Sequence, residues 1–270
     1  MIIGLTSNHE GKNSKCNACC FSLPTGYKGA IDVIGCLLIH GFTGSPYEVV
    51  PIARYLEGRG WKIESPVLAG HEGHPMPFRK ATWHDWVRSA EDALQNLLKV
   101  CQQVYVIGFS MGGMIAAHLS TRYPVSKLVL LNASLFYINP QQLFRDAAAI
   151  IKKHFTSGPD AKETYRRYVN KAFSTPPRAV VHFRHLVRVL RQDLPHVTVP
   201  ALIIQGGKDD LVDPSSAEYI YNTIASTEKE MHILPESKHI ICHDCEQEEL
   251  LSLIDRFLTG SNKEERGDAE

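Results

Sequence analysis

Four short, unbroken apolar runs punctuate the chain: Gly35-Cys36-Leu37-Leu38-Ile39, Val104-Tyr105-Val106-Ile107, Leu128-Val129-Leu130-Leu131 and Ala201-Leu202-Ile203-Ile204. A strand with one wet face would alternate apolar and polar residues, so runs of this kind predict strands buried on both faces. Trp61 to Pro66 and Met231 to Leu234 predict two more strands. Between these runs the apolar positions recur every three or four residues, the spacing of a helix with one buried stripe. Ser45, with Glu48 three positions on and Pro46 between them, predicts a capping box at the start of a helix whose stripe is Val49, Ile52, Ala53 and Leu56. Thr82 and Asp85 predict the cap of a second helix carrying Trp86, Ala90, Ala93, Leu94 and Leu97. Further helices are expected after Ser110, from Pro214 to Ile224, and from Glu246 to Leu258. Strand and helix in alternation build a parallel sheet with helices on both faces.

The alternation stops between residues 135 and 195. Only helical patterns occur there (Leu143 to Ile151, Glu163 to Phe173, Arg178 to Leu190), broken by Gly158-Pro159 and Pro176-Pro177. A helical insertion between two strands, at the sheet end where ligands bind, reads as a cap over the site. The expected organisation is an α/β core formed by residues 1–134 and 196–260, a helical cap at 135–195, and a disordered tail at 261–270.

Candidate chemistry sits at the ends of the strand runs. Gly108-Phe109-Ser110-Met111-Gly112 lies between the Val104 to Ile107 run and an apolar helix with Met114, Ile115, Ala116 and Leu119. A strand that turns straight into a helix forces the central serine into a strained conformation and leaves no room for neighbouring Cβ atoms, hence the glycines. Ser110 is therefore the candidate nucleophile. A serine hydroxyl needs a base, and the base needs an orienting acid. Asp209 follows the Ala201 to Gln205 run and His239 follows the Met231 to Leu234 run, in the chain order Ser, Asp, His of an α/β-hydrolase triad. His243 and Asp210 are the neighbouring rivals. His243 is expected near the start of the final helix, with Asp244 as cap and Gln247 at the capping-box position, and Asp213 reads as a helix cap before Pro214. The backbone N–H groups of Met111, next after the nucleophile, and of Phe42, in the loop after the first strand, are the candidate oxyanion donors.

Composition narrows the partners. Lys plus Arg and Asp plus Glu balance at 29 each, so the whole chain has no electrostatic pull toward nucleic acid or anionic membrane. Between Leu135 and Asp193, however, eleven basic residues face four acidic ones, read first as solvated helix faces and second as an anion-steering surface. No stretch approaches the roughly 20 apolar residues that cross a bilayer, so no stable membrane insertion is expected. Asn8-His9-Glu10-Gly11-Lys12-Asn13 interrupts any leader-like apolar stretch, which predicts a cytoplasmic protein. Seven cysteines then read as reduced thiols. Cys16-x-x-Cys19-Cys20 and Cys242-x-x-Cys245 have zinc-compatible spacing, but such a site needs four converging ligands and the two clusters are far apart in sequence, so no metal is expected.

The segments Leu37 to Pro46, Gly108 to Gly113, Pro200 to Asp209 and Ser237-Lys238-His239 resemble the bacterial carboxylesterases and monoacylglycerol lipases of the α/β-hydrolase superfamily. The resemblance runs from about Ile31 to Leu258. It implies a cap domain, an acyl-enzyme mechanism without metal or organic cofactor, and short- to medium-chain esters or monoacylglycerols as substrates. It places the nucleophile on Ser110, the acid on Asp209, the base on His239 and the oxyanion donors on Phe42 and Met111. Gly70-His71-Glu72 departs from the family's usual Gly-His-Gly, and the segment before Ile31 has no counterpart. The same residues would serve a thioesterase, a peptidase or another α/β-hydrolase activity, or a non-hydrolytic ligand-binding receptor on the same fold.

Overall fold

The computed structural model describes residues 33–72, 80–136 and 175–260, all within one compact unit spanning Asp32–Glu270. Among the described residues, six strands form one parallel sheet in the order β2-β1-β3-β4-β5-β6: β1 Ile34–Ile39, β2 Lys62–Glu64, β3 Gln103–Phe109, β4 Lys127–Leu131, β5 Ala201–Gly206 and β6 Lys229–Leu234. The four unbroken apolar runs are the four inner strands. Both faces of these strands are covered, and the alternation of side chains along each strand divides the core in two.

Leu37, Ile39, Val104, Val106, Leu128, Leu130 and Ile203 belong to one apolar cluster. Their neighbours Cys36, Leu38, Tyr105, Ile107, Val129, Leu131 and Leu202 belong to the other. Helices α1 (Val50–Glu57) and α6 (Gln247–Thr259) seal the second cluster with Ile52, Leu56, Leu250 and Ile254. Helices α2 (Trp83–Leu98), α3 (Met111–Ser120), α4 (Pro177–Leu190) and α5 (Ser215–Thr223) seal the first. α3 is buried along its whole length, as its apolar sequence on every side requires. Among the described residues β6 is an edge strand, and Met231 and Ile233 on it are exposed.

Two expected helix starts are built differently. The Thr82–Asp85 capping box is present in full. At Ser45 there is no side-chain cap bond; Pro46–Val49 form a 3-10 turn and α1 begins only at Val50. The carboxylate of Glu48 instead accepts a charge-assisted bond from the N–H of Gly41 at 2.8 Å. Likewise Asp244 does not cap the last helix, which starts at Gln247. Its carboxylate accepts from the N–H of Lys238 at 2.7 Å and of Cys245 at 2.8 Å, while the Gln247 side-chain amide donates to the Cys242 carbonyl.

Of the expected cap, α4 lies in the described region, and its Ala179, Phe183, Leu186, Val187 and Leu190 join the core beside α3. His118 on α3 and Asp193 beyond α4 are paired at 2.7 Å and tie these segments together. The helices expected at Leu143 to Ile151 and Glu163 to Phe173, the tail 261–270 and the Cys16/Cys19/Cys20 cluster lie outside the described residues. Among the described residues, no helix is long and apolar enough to cross a membrane.

Candidate active site

Because all six strands run the same way, the loops after β1, β3, β4, β5 and β6 emerge along one edge of the sheet. Those five loops carry the site.

Ser110 ends β3 and opens α3 with φ 56° and ψ −119°. The turn is tight enough that a Cβ on Gly108 would lie 2.2 Å from the Gly112 carbonyl oxygen, and one on Gly112 would lie 2.2 Å from that of Ile39. Both positions exclude every residue but glycine. Among the described residues, Ser110 shares a positive φ with two other non-glycine residues, Thr43 (φ 61°) and Asn132 (φ 44°). All three fall in the loops that meet here, and strain of this kind, of order 1–3 kcal/mol each, persists only where surrounding contacts over-determine it.

Those contacts are specific. The Ser110 N–H donates to the Leu131 carbonyl at 2.8 Å, and the Ser134 N–H donates to the Ser110 carbonyl at 3.1 Å, stitching the elbow to the end of β4. Asn132, fully buried, accepts from the Gly206 N–H at 2.7 Å and donates to the carbonyls of Lys238 (3.1 Å) and His239 (2.7 Å). One side chain thereby fixes the end of β5, which leads to Asp209, against the loop that carries His239.

Ser110 Oγ lies 3.0 Å from His239 Nε2, and His239 Nδ1 lies 2.9 Å and 3.1 Å from the two carboxylate oxygens of Asp209. All three residues are buried. Asp209 is itself held: the N–H groups of Leu211 and Val212 donate to Oδ1 at 2.9 and 3.0 Å, and the Gln205 amide donates to Oδ2 at 3.1 Å. A carboxylate only accepts, so Nδ1 carries the ring hydrogen and Nε2 of the neutral imidazole accepts from Ser110. Burial pulls the His239 pKa down, but the charge and hydrogen bond of Asp209, with smaller help from Glu48 and Asp210, outweigh it and leave it above the ordinary histidine value. Glu48→Gln removes one of these charges. The acid limb of activity, where His239 loses its proton to become a base, should then move to lower pH in a kcat/KM profile; a limb that stays in place would show that Glu48 does not reach His239.

The rivals are placed elsewhere. His243 bonds the Tyr47 carbonyl at 2.8 Å and stacks on the Tyr47 ring, and burial lowers its pKa. Asp213 accepts from the Ser215 N–H at 2.9 Å at the start of α5. Cys242 is buried and Cys245 exposed, both as free thiols. Among the described residues, no three His, Cys, Asp or Glu side chains are grouped to hold a metal ion.

Phe42 sits on a loop bound from both ends. His40 Nδ1 donates to the Gly41 carbonyl at 2.8 Å while its Nε2 accepts from the Leu68 N–H at 3.1 Å. His71 Nε2 accepts from the Thr43 N–H at 3.2 Å. The family-atypical Glu72 turns back to accept from the Gly70 N–H at 3.1 Å, which leaves His71 buried against the loop. A Cβ built on Gly41 would lie 3.2 Å from Ser110 Cβ, so the Phe42 segment passes directly beside the elbow, as does Met111 at the first turn of α3. The Phe42 ring stacks on Phe183 of α4, with centroids 4.8 Å apart, and packs against Trp86.

Asn132, Ser134 and the second role of Glu48 emerge only in the folded chain. Asn132 alone had a local signal, a polar residue closing an unbroken apolar strand.

A family model described as serine aminopeptidase, S33, matches residues 34–246, more than half of the chain. The chain belongs to that family. It is 31% identical over 222 residues to the thermostable monoacylglycerol lipase of Bacillus sp. (strain H-257), covering 79% of this chain and 86% of the relative. It is 23% identical over 236 residues to a carboxylesterase of Bacillus subtilis (strain 168), covering 87% and 95%. Among solved structures it matches one reported for LipS and LipT, two metagenome-derived lipolytic enzymes, with TM-score 0.70 and 27% identity over 85% of this chain and 95% of that one. The architecture is the α/β-hydrolase fold, and the resemblance to the carboxylesterase and monoacylglycerol lipase group holds along the chain.

Proposed function

We propose that this protein is a serine esterase that hydrolyses short- to medium-chain carboxylic esters or monoacylglycerols through an acyl-enzyme, acting in the cytoplasm on small-molecule substrates. Ser110 attacks the ester carbonyl carbon while His239 Nε2 takes its proton, and Asp209 stabilises the imidazolium. The Phe42 and Met111 amides receive the carbonyl oxygen as it becomes an oxyanion. Nε2 returns the proton to the leaving alcohol; a water then gives its proton to Nε2, attacks the acyl carbon and displaces Ser110 Oγ, to which Nε2 passes that proton as the acid is released. The reaction needs no metal or organic cofactor. In this reading residues 135–195 form the cap and residues 1–134 and 196–260 the core.

The observation that carries the reading is the continuous path from Ser110 Oγ through His239 to Asp209, with every link at hydrogen-bond distance inside a buried site. The curated relatives' ester-cleaving names favour esters among the substrates this machinery can attack. The stacked Phe42–Phe183 pair gives the site an apolar flank suited to an acyl chain.

p-Nitrophenyl esters of increasing acyl length test the assignment. Turnover is expected to peak at medium chains, and acetate as the best substrate would overturn the chain-length assignment. Faster cleavage of aminoacyl p-nitroanilides than of any ester would replace the esterase reading with the peptidase named in the family description.

A further inference from the structure

We propose, on the ester-hydrolase reading above, that Ser134 is a further catalytic residue, which donates a hydrogen bond to Ser110 Oγ and speeds the departure of that oxygen from the acyl-enzyme. Ser134 follows β4, and its Oγ lies 2.8 Å from Ser110 Oγ. Both residues are buried, at 1% and 5% exposure, so neither hydroxyl is exchanging its partner for bulk water.

The direction of the bond follows from counting hydrogens. Ser110 has one hydroxyl hydrogen, and it points at His239 Nε2, 3.0 Å away, because the Nδ1 hydrogen is committed to Asp209. Ser110 Oγ therefore accepts from Ser134. Among the described residues, Ser110 Oγ is the hydrogen-bond partner of the Ser134 hydroxyl. The backbone bond from the Ser134 N–H to the Ser110 carbonyl, at 3.1 Å, keeps the two residues in register as the cycle proceeds.

A donor fixed on a reacting oxygen accelerates only those steps in which that oxygen becomes a better acceptor than it was in the ground state. Before acylation Oγ is a hydroxyl oxygen and already accepts well, so little is gained on attack. In the acyl-enzyme Oγ is the bridging oxygen of an ester, a poor acceptor because its lone pair is delocalised into the carbonyl. During deacylation water loses a proton to Nε2 and its oxygen bonds to the acyl carbon. The carbon–Oγ bond then breaks with its electron pair going to Oγ, and Nε2 passes the proton to Oγ. Charge gathers on Oγ as that bond breaks, and the Ser134 bond strengthens most at that point. Ser134 keeps its own hydrogen throughout.

Stopped-flow hydrolysis of p-nitrophenyl butyrate separates the two half-reactions. In Ser134→Ala, deacylation is expected to slow by about tenfold to a hundredfold, the worth of a hydrogen bond to a charged group, while acylation changes by less than about fivefold. The p-nitrophenolate burst should approach one equivalent per Ser110 and be followed by a slow linear phase. Ser134→Cys, nearly isosteric but a weaker donor, should fall between the two. Stoichiometric labelling of Ser110 by a fluorophosphonate confirms that each variant is folded around its nucleophile. Equal slowing of both half-reactions, or no change in either, overturns the proposal. If the wild type turns over esters and Ser110→Ala does not, such a result removes the role of Ser134 alone. Absence of any ester turnover by the wild type removes the esterase reading and this inference with it.

Discussion

Ser110→Ala is expected to lower kcat for p-nitrophenyl butyrate by about 10⁶-fold, the scale on which a triad serine is lost when the rest of the site remains. The substitution removes the only atom that bonds to the acyl group and leaves the Phe42 and Met111 segments and His239 as they were. The backbone should survive, since the elbow is held by the Leu131 carbonyl, the Ser134 N–H and the close approach of Gly108 and Gly112 rather than by the serine side chain. Steady-state assays check the first half, and thermal unfolding followed by circular dichroism, compared with wild type, checks the second. Activity within about tenfold of wild type would place the nucleophile elsewhere.

Asp209→Asn should cost about 10⁴-fold in kcat, through a change of tautomer. Two backbone N–H groups, from Leu211 and Val212, point at Oδ1 and require an oxygen there. The amide NH2 of the variant must then occupy the Oδ2 position, 2.9 Å from His239 Nδ1, where it donates and drives the ring hydrogen onto Nε2. A protonated Nε2 cannot accept from Ser110. Loss of the carboxylate charge also removes the largest contribution that raises the His239 pKa. Asp210→Asn, which removes the smallest of the charges that raise the His239 pKa, should stay within a few-fold of wild type in the same kcat measurement. Equal losses in the two variants would contradict the assignment of the acid.

Much of this architecture can be read from local pattern. Unbroken apolar runs locate the inner strands because a strand covered on both faces offers a polar side chain no water on either side, and the division of their side chains between two clusters follows from the two-residue repeat of a strand. The elbow is legible because its constraints are local: a strand, a strained serine and small residues within five positions. Asp209 and His239 stand out because each follows a strand run, and parallel strands deliver their following loops to one edge.

Helix starts were less legible. Ser45-x-x-Glu48 satisfies the same local rule as Thr82-x-x-Asp85, yet only the second forms the box. Glu48 is within reach of the Gly41 N–H in the folded chain, and a buried carboxylate goes to the partner that best offsets its desolvation. Asp244 departs from the local rule for the same reason, since its partner, the N–H of Lys238, belongs to the loop that carries His239.

By itself, then, the order of apolar and polar residues along this chain determined a parallel α/β sheet, a serine at a strand-to-helix turn, and an acid and a histidine at later strand ends. Only the tertiary structure decided which partner each buried polar group meets: Asn132 joining β5 to a loop 107 residues away, Glu48 turning from its helix to the Gly41 loop, and Ser134 set on Ser110 Oγ. The physical reason is range. Strand and helix patterns arise from neighbours within a few residues, whereas a buried polar group is satisfied by whatever the fold brings within about 3 Å.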